Sequence, residues 1–190
     1  MDLKKYIGIY DKVFPLKTLS IFLKYINTLD FEDAGVVGNN KQQFIRKDIR
    51  NTKSKSLSRH SSSMTEVHWQ NLLIGTFAKT FNHYSQSFGS NENFVNDITD
   101  IQILKYKVGG FYKYHVDHCK QYPRTLSGIF LLNNDYEGGE LSFRNLDKTG
   151  EENIPVEPNR MIVWPSNFLF PHTVKPVKKG TRYSVVAWGL

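Results

Sequence analysis

From Asp97 onward the chain breaks into short apolar runs separated by turn residues, and this texture restricts the fold more than any other feature of the sequence. Runs rich in β-branched and aromatic side chains, punctuated every 8–12 residues, are the mark of a β-sandwich or barrel. Eight candidate strands follow one another, at 101–107, 112–116, 125–132, 141–144, 153–156, 161–164, 172–174 and 181–188. Asn133-Asn134-Asp135 and Glu137-Gly138-Gly139 supply turns between them, because these residues accept φ > 0 or bond their own backbone. Eight antiparallel strands in two sheets make a jelly roll.

The first half reads differently. Tyr6-Ile7-Gly8-Ile9-Tyr10 fits a strand, and Leu16, Leu19, Phe22, Leu23, Ile26 and Leu29 then recur at helical spacing, with Pro15 suited to a first turn. Ser63-Met64-Thr65-Glu66 has the form of a capping box, and Leu73, Phe77, Phe81, Tyr84 and Phe88 follow at steps of three and four. That spacing predicts a long helix to about Phe88, ended by 89–93. The stretch 38–63 between the helices is polar and basic, a loop or a poor strand. The expected fold is therefore mainly β with α (α+β), a single domain over 1–190. Helical support and a basic loop occupy 1–97, and the β-sandwich core occupies 98–190.

Composition sets the class. Aromatics make up 14% of the chain, with 13 Phe and 10 Tyr, which is incompatible with a disordered segment. No apolar run approaches the length needed to span a bilayer, and the N-terminus lacks the pattern of a signal peptide. Cys119 is the single cysteine and has no partner for an internal disulfide, so a reducing, cytoplasmic setting is expected. The net charge of +7 is concentrated in Lys41, Arg46, Lys47, Arg50, Lys53, Lys55 and Arg59, against Asp48 alone. Such a segment is either a solvated loop or a basic lid that draws in an acidic substrate. The near-neutral remainder gives no general nucleic-acid-binding surface.

Chemistry concentrates in Tyr106 to Asp117. In an extended strand, alternate residues share a face, so His115 and Asp117 point the same way, roughly 7 Å apart. Two His and one carboxylate on one face of an octahedron suit Fe(II) and leave three positions open. His172, on a later strand, supplies the third ligand. Arg182 follows 10 residues later, with Ser184 on the same strand face. A lone His beside either helix, His68 or His83, is expected to be structural, and His118 leaves the face that the candidate ligands share.

Read together, Tyr-x-x-Gly-Gly-x-Tyr-x-x-His-x-Asp over 106–117, then His172, then Gly180-Thr181-Arg182-Tyr183-Ser184, resembles the Fe(II)/2-oxoglutarate dioxygenases of the prolyl 4-hydroxylase type. The resemblance is dense from about Asp100 and faint before it. It implies a double-stranded β-helix and the cofactors Fe(II), 2-oxoglutarate and O2, with ascorbate as reductant. His115, Asp117 and His172 would hold the metal. Arg182, with Ser184, would grip the distal carboxylate of 2-oxoglutarate through parallel hydrogen bonds. Tyr106 would bond the cosubstrate and Tyr112 would line its pocket. Leu131 departs from the oxygen-sensing prolyl hydroxylases, which carry Tyr there. The activity implied is hydroxylation of a C–H bond, foremost of a prolyl residue in a peptide or protein, with acidic residues near the target to match the basic segment. Two rivals stay open: a dioxygenase acting on another amino acid, side chain or nucleobase, and a non-catalytic β-sandwich binding module. The nucleobase branch usually carries a second Arg after the first, and none follows Arg182.

Overall fold

A computed structural model describes residues 3–37, 42–90, 94–145 and 149–190. Gly38 and Lys41 of the basic stretch, and 91–93 of the turn after the long helix, lie outside the described residues. Strands β1 (Gly8–Asp11), β2 (Glu32–Asp33), β3 (Val36–Val37), β4 (Gln43–Phe44), β5 (Arg50–Asn51) and β6 (Lys53–Ser56) come from the N-terminal half. Helix α1 (Leu16–Ile26) lies between β1 and β2, and α2 (Met64–Ser87) follows β6. Then come β7 (Ile98–Tyr106), β8 (Phe111–His115), β9 (Leu126–Leu131), β10 (Glu137–Gly138), β11 (Leu141–Arg144) and β12 (Glu151–Ile154). The chain ends with β13 (Arg160–Pro165), β14 (His172–Val174), β15 (Val177–Lys179) and β16 (Arg182–Gly189).

These strands build a seven-stranded antiparallel sheet in the order β1-β13-β9-β16-β7-β6-β2, facing a five-stranded sheet, β12-β11-β14-β8-β5. This is the expected double-stranded β-helix. Period-two alternation divides the core in two. On β16, Val185 and Ala187 face one cluster, shared with Phe22, Trp69, Leu73, Phe77 and Phe81 of the helices. Val186 and Trp188 face the other, between the sheets, with Tyr106, Ile129, Leu131 and Trp164. The helices therefore cover the outside of the large sheet and leave its inside for a pocket. Gly128 of β9 lets them come close, since a Cβ there would stand 2.8 Å from Phe77 and 2.9 Å from Phe81.

Two sequence expectations are modified. The stretch 38–63 contains β5 and β6, whose residues are almost all polar. They form because β7 and β8 would otherwise present unpaired N–H and C=O groups at an edge. The capping box is half made: Ser63 Oγ accepts from Glu66 N–H at 3.3 Å, but the Glu66 carboxylate accepts from the Ser58 amide at 2.9 Å instead of reaching back to Ser63. Among the described residues no helix is long and apolar enough to cross a membrane.

Candidate metal centre and its pocket

His115 is the last residue of β8 and His172 the first of β14, and the two are direct partners in the antiparallel register. Their ring centroids are 4.2 Å apart. Asp117 lies two residues past the end of β8, at a bend, and so is not on the same extended strand as His115. The bend is held by backbone bonds, His118 N–H to Ser166 O at 2.9 Å and the reciprocal Cys119–Tyr122 bridge. It turns the carboxylate inward nonetheless. Asp117 Oδ1 is 3.5 Å from His115 Nε2, and Oδ2 is 3.5 Å from His172 Nε2. All candidate ligand atoms lie within 4.8 Å of one another.

The surroundings fix each donor. His115 Nδ1 lies 2.8 Å from Lys113 O, and His172 Nδ1 lies 3.1 Å from Phe170 O. A carbonyl only accepts, so each Nδ1 carries the proton and each Nε2 keeps its lone pair toward the centre. Ser127 Oγ donates to Asp117 Oδ2 at 2.6 Å and is itself 2.7 Å from Ser166 Oγ. Burial, and then the neighbouring His115, pushes the pKa of His172 down to about 4. Burial would raise the Asp117 carboxyl, but His172, His115 and Ser127 together hold it well below the usual carboxylate range. A neutral His172 imidazole beside an ionised Asp117 carboxylate suits a divalent cation. The donor set suits Fe(II), with a hydrophobic wall behind it: Trp164 packs edge-on against His172 at 4.9 Å.

The second cluster lies at the start of β16. Arg182 is completely buried, and its cross-strand partner on β7 is Tyr106, also completely buried. The guanidinium carbon is 5.2 Å from the Tyr106 ring centroid. Arg182 Nη1 donates to Ser184 Oγ at 2.8 Å, so the Ser184 oxygen accepts while its own hydrogen stays available. Arg182 Nε and Nη2 and the Tyr106 hydroxyl have no partner among the described residues. A buried cation with unpartnered N–H groups is costly unless an anion completes it. These residues therefore fit the distal carboxylate of 2-oxoglutarate. Tyr112 stands at the metal end of the pocket: it stacks on His115 at 3.6 Å, under the Arg50 guanidinium at 4.8 Å, and burial pushes its phenol up to about 12.

A cavity of about 490 Å³ is lined by His115, Asp117 and His172 and by Tyr106 and Tyr112. Arg50 and Arg124 also line it, the latter stacked 3.7 Å above Trp188 and 3.5 Å from the Asp100 carboxylate. Sequence reasoning passed over Ser127, Ser166 and Arg124, which no spacing connects to Asp117. The other histidines stand apart: His118 Nδ1 bonds Arg124 O, His68 packs on Trp69 and His83 on Tyr10. Cys119 is half-buried and free. Three of the seven cations of the basic segment are paired within the chain, Arg46 on Asp48, Lys47 on Asp33 and Lys55 on Glu66.

Comparison with known proteins agrees with this site. The family model for the 2OG-Fe(II) oxygenase superfamily matches residues 101–189. A PKHD-type hydroxylase of Synechococcus sp. (strain CC9902) is 36% identical over 98 residues, 50% of this chain and 42% of that protein. Prolyl 3-hydroxylase 2 of Homo sapiens is 41% identical over 66 residues, 34% of this chain and 9% of that one. The chain thus matches less than half the length of either relative. Among solved structures, a Pseudomonas putida prolyl-4-hydroxylase superposes with a TM-score of 0.73 at 18% identity, over 97% of this chain and 92% of the other. A prolyl hydroxylase from Trichoplax adhaerens, in complex with a hypoxia inducible factor peptide, also gives 0.73, at 17% identity over 97% and 83%. At these identities the structures speak for the fold.

Proposed function

We propose, from the match of residues 101–189 to the 2OG-Fe(II) oxygenase superfamily, that the protein hydroxylates a prolyl residue in a peptide or protein, working as one catalytic unit. His115, Asp117 and His172 hold Fe(II) through Nε2, a carboxylate oxygen and Nε2. Arg182 and Ser184 take the distal carboxylate of 2-oxoglutarate, and Tyr106 donates its hydroxyl to the same molecule. Iron, 2-oxoglutarate and O2 together supply the oxidation of a C–H bond, with ascorbate as reductant. The chain's part is to hold the donors at one end of a closed pocket, keep water from it and present one carbon of the substrate.

The observation that carries this reading is an open His-Asp-His cluster that shares one cavity with Tyr106, and a buried guanidinium that stands beside the Tyr106 ring without a good hydrogen-bond partner at Nε and Nη2 among the described residues. A metal site alone would serve many reactions; the anion-seeking Arg182 beside it points to a carboxylate-bearing cosubstrate. The peptide substrate is supported by the prolyl hydroxylases among the similar proteins. An acidic flank on that peptide is supported by Arg50 alone, which lines the cavity and bonds a backbone carbonyl, whereas Arg124, Arg46 and Lys47 are turned onto carboxylates of the chain itself.

The test is turnover of 2-oxoglutarate to succinate with a panel of proline-containing peptides, acidic and neutral, followed by mass spectrometry. One added oxygen on proline, with acidic peptides preferred and the preference fading as salt rises, is the expected result. Consumption of 2-oxoglutarate with free amino acids or nucleobases but with no proline peptide would overturn the substrate assignment.

A further inference from the structure

Tyr136 lies on the turn between β9 and β10, on a segment with no metal ligand and no family-like motif residue. Its hydroxyl is buried and makes no hydrogen bond of good geometry among the described residues. The same holds for Arg182 Nε and Nη2. These orphaned groups are close together. A Cβ placed on Gly139 would lie 3.0 Å from Arg182 Cδ and 3.2 Å from Tyr136 Cε2, so the two side chains converge on one point. Cδ carries Nε, and Cε2 adjoins the carbon that bears the hydroxyl. Gly139 sits at φ +67, where a side chain is strained whatever the room, and its missing Cβ is what permits the approach. Burial pushes the Tyr136 phenol up, and Arg182, near enough to act on the hydroxyl both by its charge and as a donor, draws it part of the way back down.

The strand that would otherwise complete this corner supplies no donor. Leu131, at the end of β9, stands directly opposite Ser184 in the register, and its side chain is apolar and fully buried. A carboxylate has two oxygens and about four lone-pair sites. Arg182 and Ser184 fill part of that capacity, and a phenolic O–H suits the remainder.

We propose that Tyr136 donates its hydroxyl hydrogen to the distal carboxylate of the bound 2-oxo acid, beside Arg182, and so helps select a dicarboxylic cosubstrate. This rests on the assignment of the pocket to 2-oxoglutarate. Tyr136 is then a binding residue delivered by a turn, standing in for a donor that β9 lacks. Its role is confined to the end of the cosubstrate remote from the metal.

The experiment compares wild type with Tyr136→Phe, loaded with Co(II) and kept free of O2 so that nothing turns over. Binding of 2-oxoglutarate and of 2-oxopentanoate, which has the same carbon chain without the distal carboxylate, is read by calorimetry. Loss of one hydrogen bond to a charged group should weaken 2-oxoglutarate about tenfold to a hundredfold. Affinity for 2-oxopentanoate and for Co(II) should not change. Equal 2-oxoglutarate affinity in both proteins, or an equal loss for both ligands, would overturn the proposal, the second result marking Tyr136 as a packing residue. If wild type itself fails to prefer 2-oxoglutarate over 2-oxopentanoate, the pocket assignment falls, and the role of Tyr136 with it.

Discussion

Replacing Ser127 by Ala removes one oxygen from the interior and nothing else, yet it should cost the protein most of its metal affinity. Ser127 and Ser166 are each only 1% exposed. The lost bond is a short one, 2.6 Å, to an ionised carboxylate. Hydrogen bonds to charged groups contribute about 1.5–3 kcal/mol. At about 1.4 kcal/mol per tenfold, that is roughly ten- to a hundredfold in affinity, in line with the usual effect of removing an outer-shell partner of a metal ligand. The bond matters because it holds Asp117 Oδ2 and so fixes the plane of the carboxylate that would ligate the metal; without it the carboxylate can rotate about its last bond. Ser166→Ala should cost less, since it touches Asp117 only through Ser127, and the double variant should fall well short of the summed losses. Titration of the metal-free protein with Co(II), followed by visible absorption, measures all three. Unchanged Co(II) affinity in Ser127→Ala would refute the reasoning, and strict additivity would show that the two serines do not act as a chain.

His172→Ala should abolish stoichiometric metal binding and succinate formation together; retention of both would remove it from the ligand set. Arg182→Met keeps most of the volume but takes away a fully buried cation whose Nε and Nη2 have no partner among the described residues. Because an uncompensated buried charge is destabilising, the ligand-free variant should melt at or above the wild-type temperature while its 2-oxoglutarate affinity drops by about 3–5 kcal/mol, on the order of 10²–10³ or more. A lower melting temperature with normal affinity would reverse the assignment. Gly128→Ala should destabilise by about 1–3 kcal/mol in a denaturant titration, since the new methyl meets Phe77 and Phe81 in a filled core. A stabilised variant would mean that α2 has room to retreat from the sheet.

Much of this site is legible in the amino-acid sequence, and the reason is local. His115, His172, Arg182 and Tyr106 each belong to a strand whose alternation can be read directly, and the sheet register then sets His115 against His172 and Tyr106 against Arg182. Asp117 is right for a partly wrong reason, because it reaches the site from a bend and not from an extended strand. What escapes the sequence is whatever depends on distant segments. Ser166 is 39 residues from Ser127 and meets it only because β13 pairs with β9. The strands β5 and β6 have no apolar pattern to announce them and owe their existence to the edges they cover. The charge of 41–60 looks free in the sequence, yet Asp33 and Glu66 lie outside that window and take up Lys47 and Lys55.

The seam between β8 and β14 is short and irregular, with His172 opposite His115, Val174 opposite Tyr112 and a shift of register between them. A metal bound there is a clamp between two strands far apart in the chain. Mass action then gives the folded form an added stability of RT ln(1 + [metal]/Kd). In a metal-starved cell the same seam becomes the place where the sandwich opens first, and amide exchange along β8 should quicken before it does in β9 or β16. Proteases act on such openings, so the supply of iron would govern how long each molecule survives as well as whether it works.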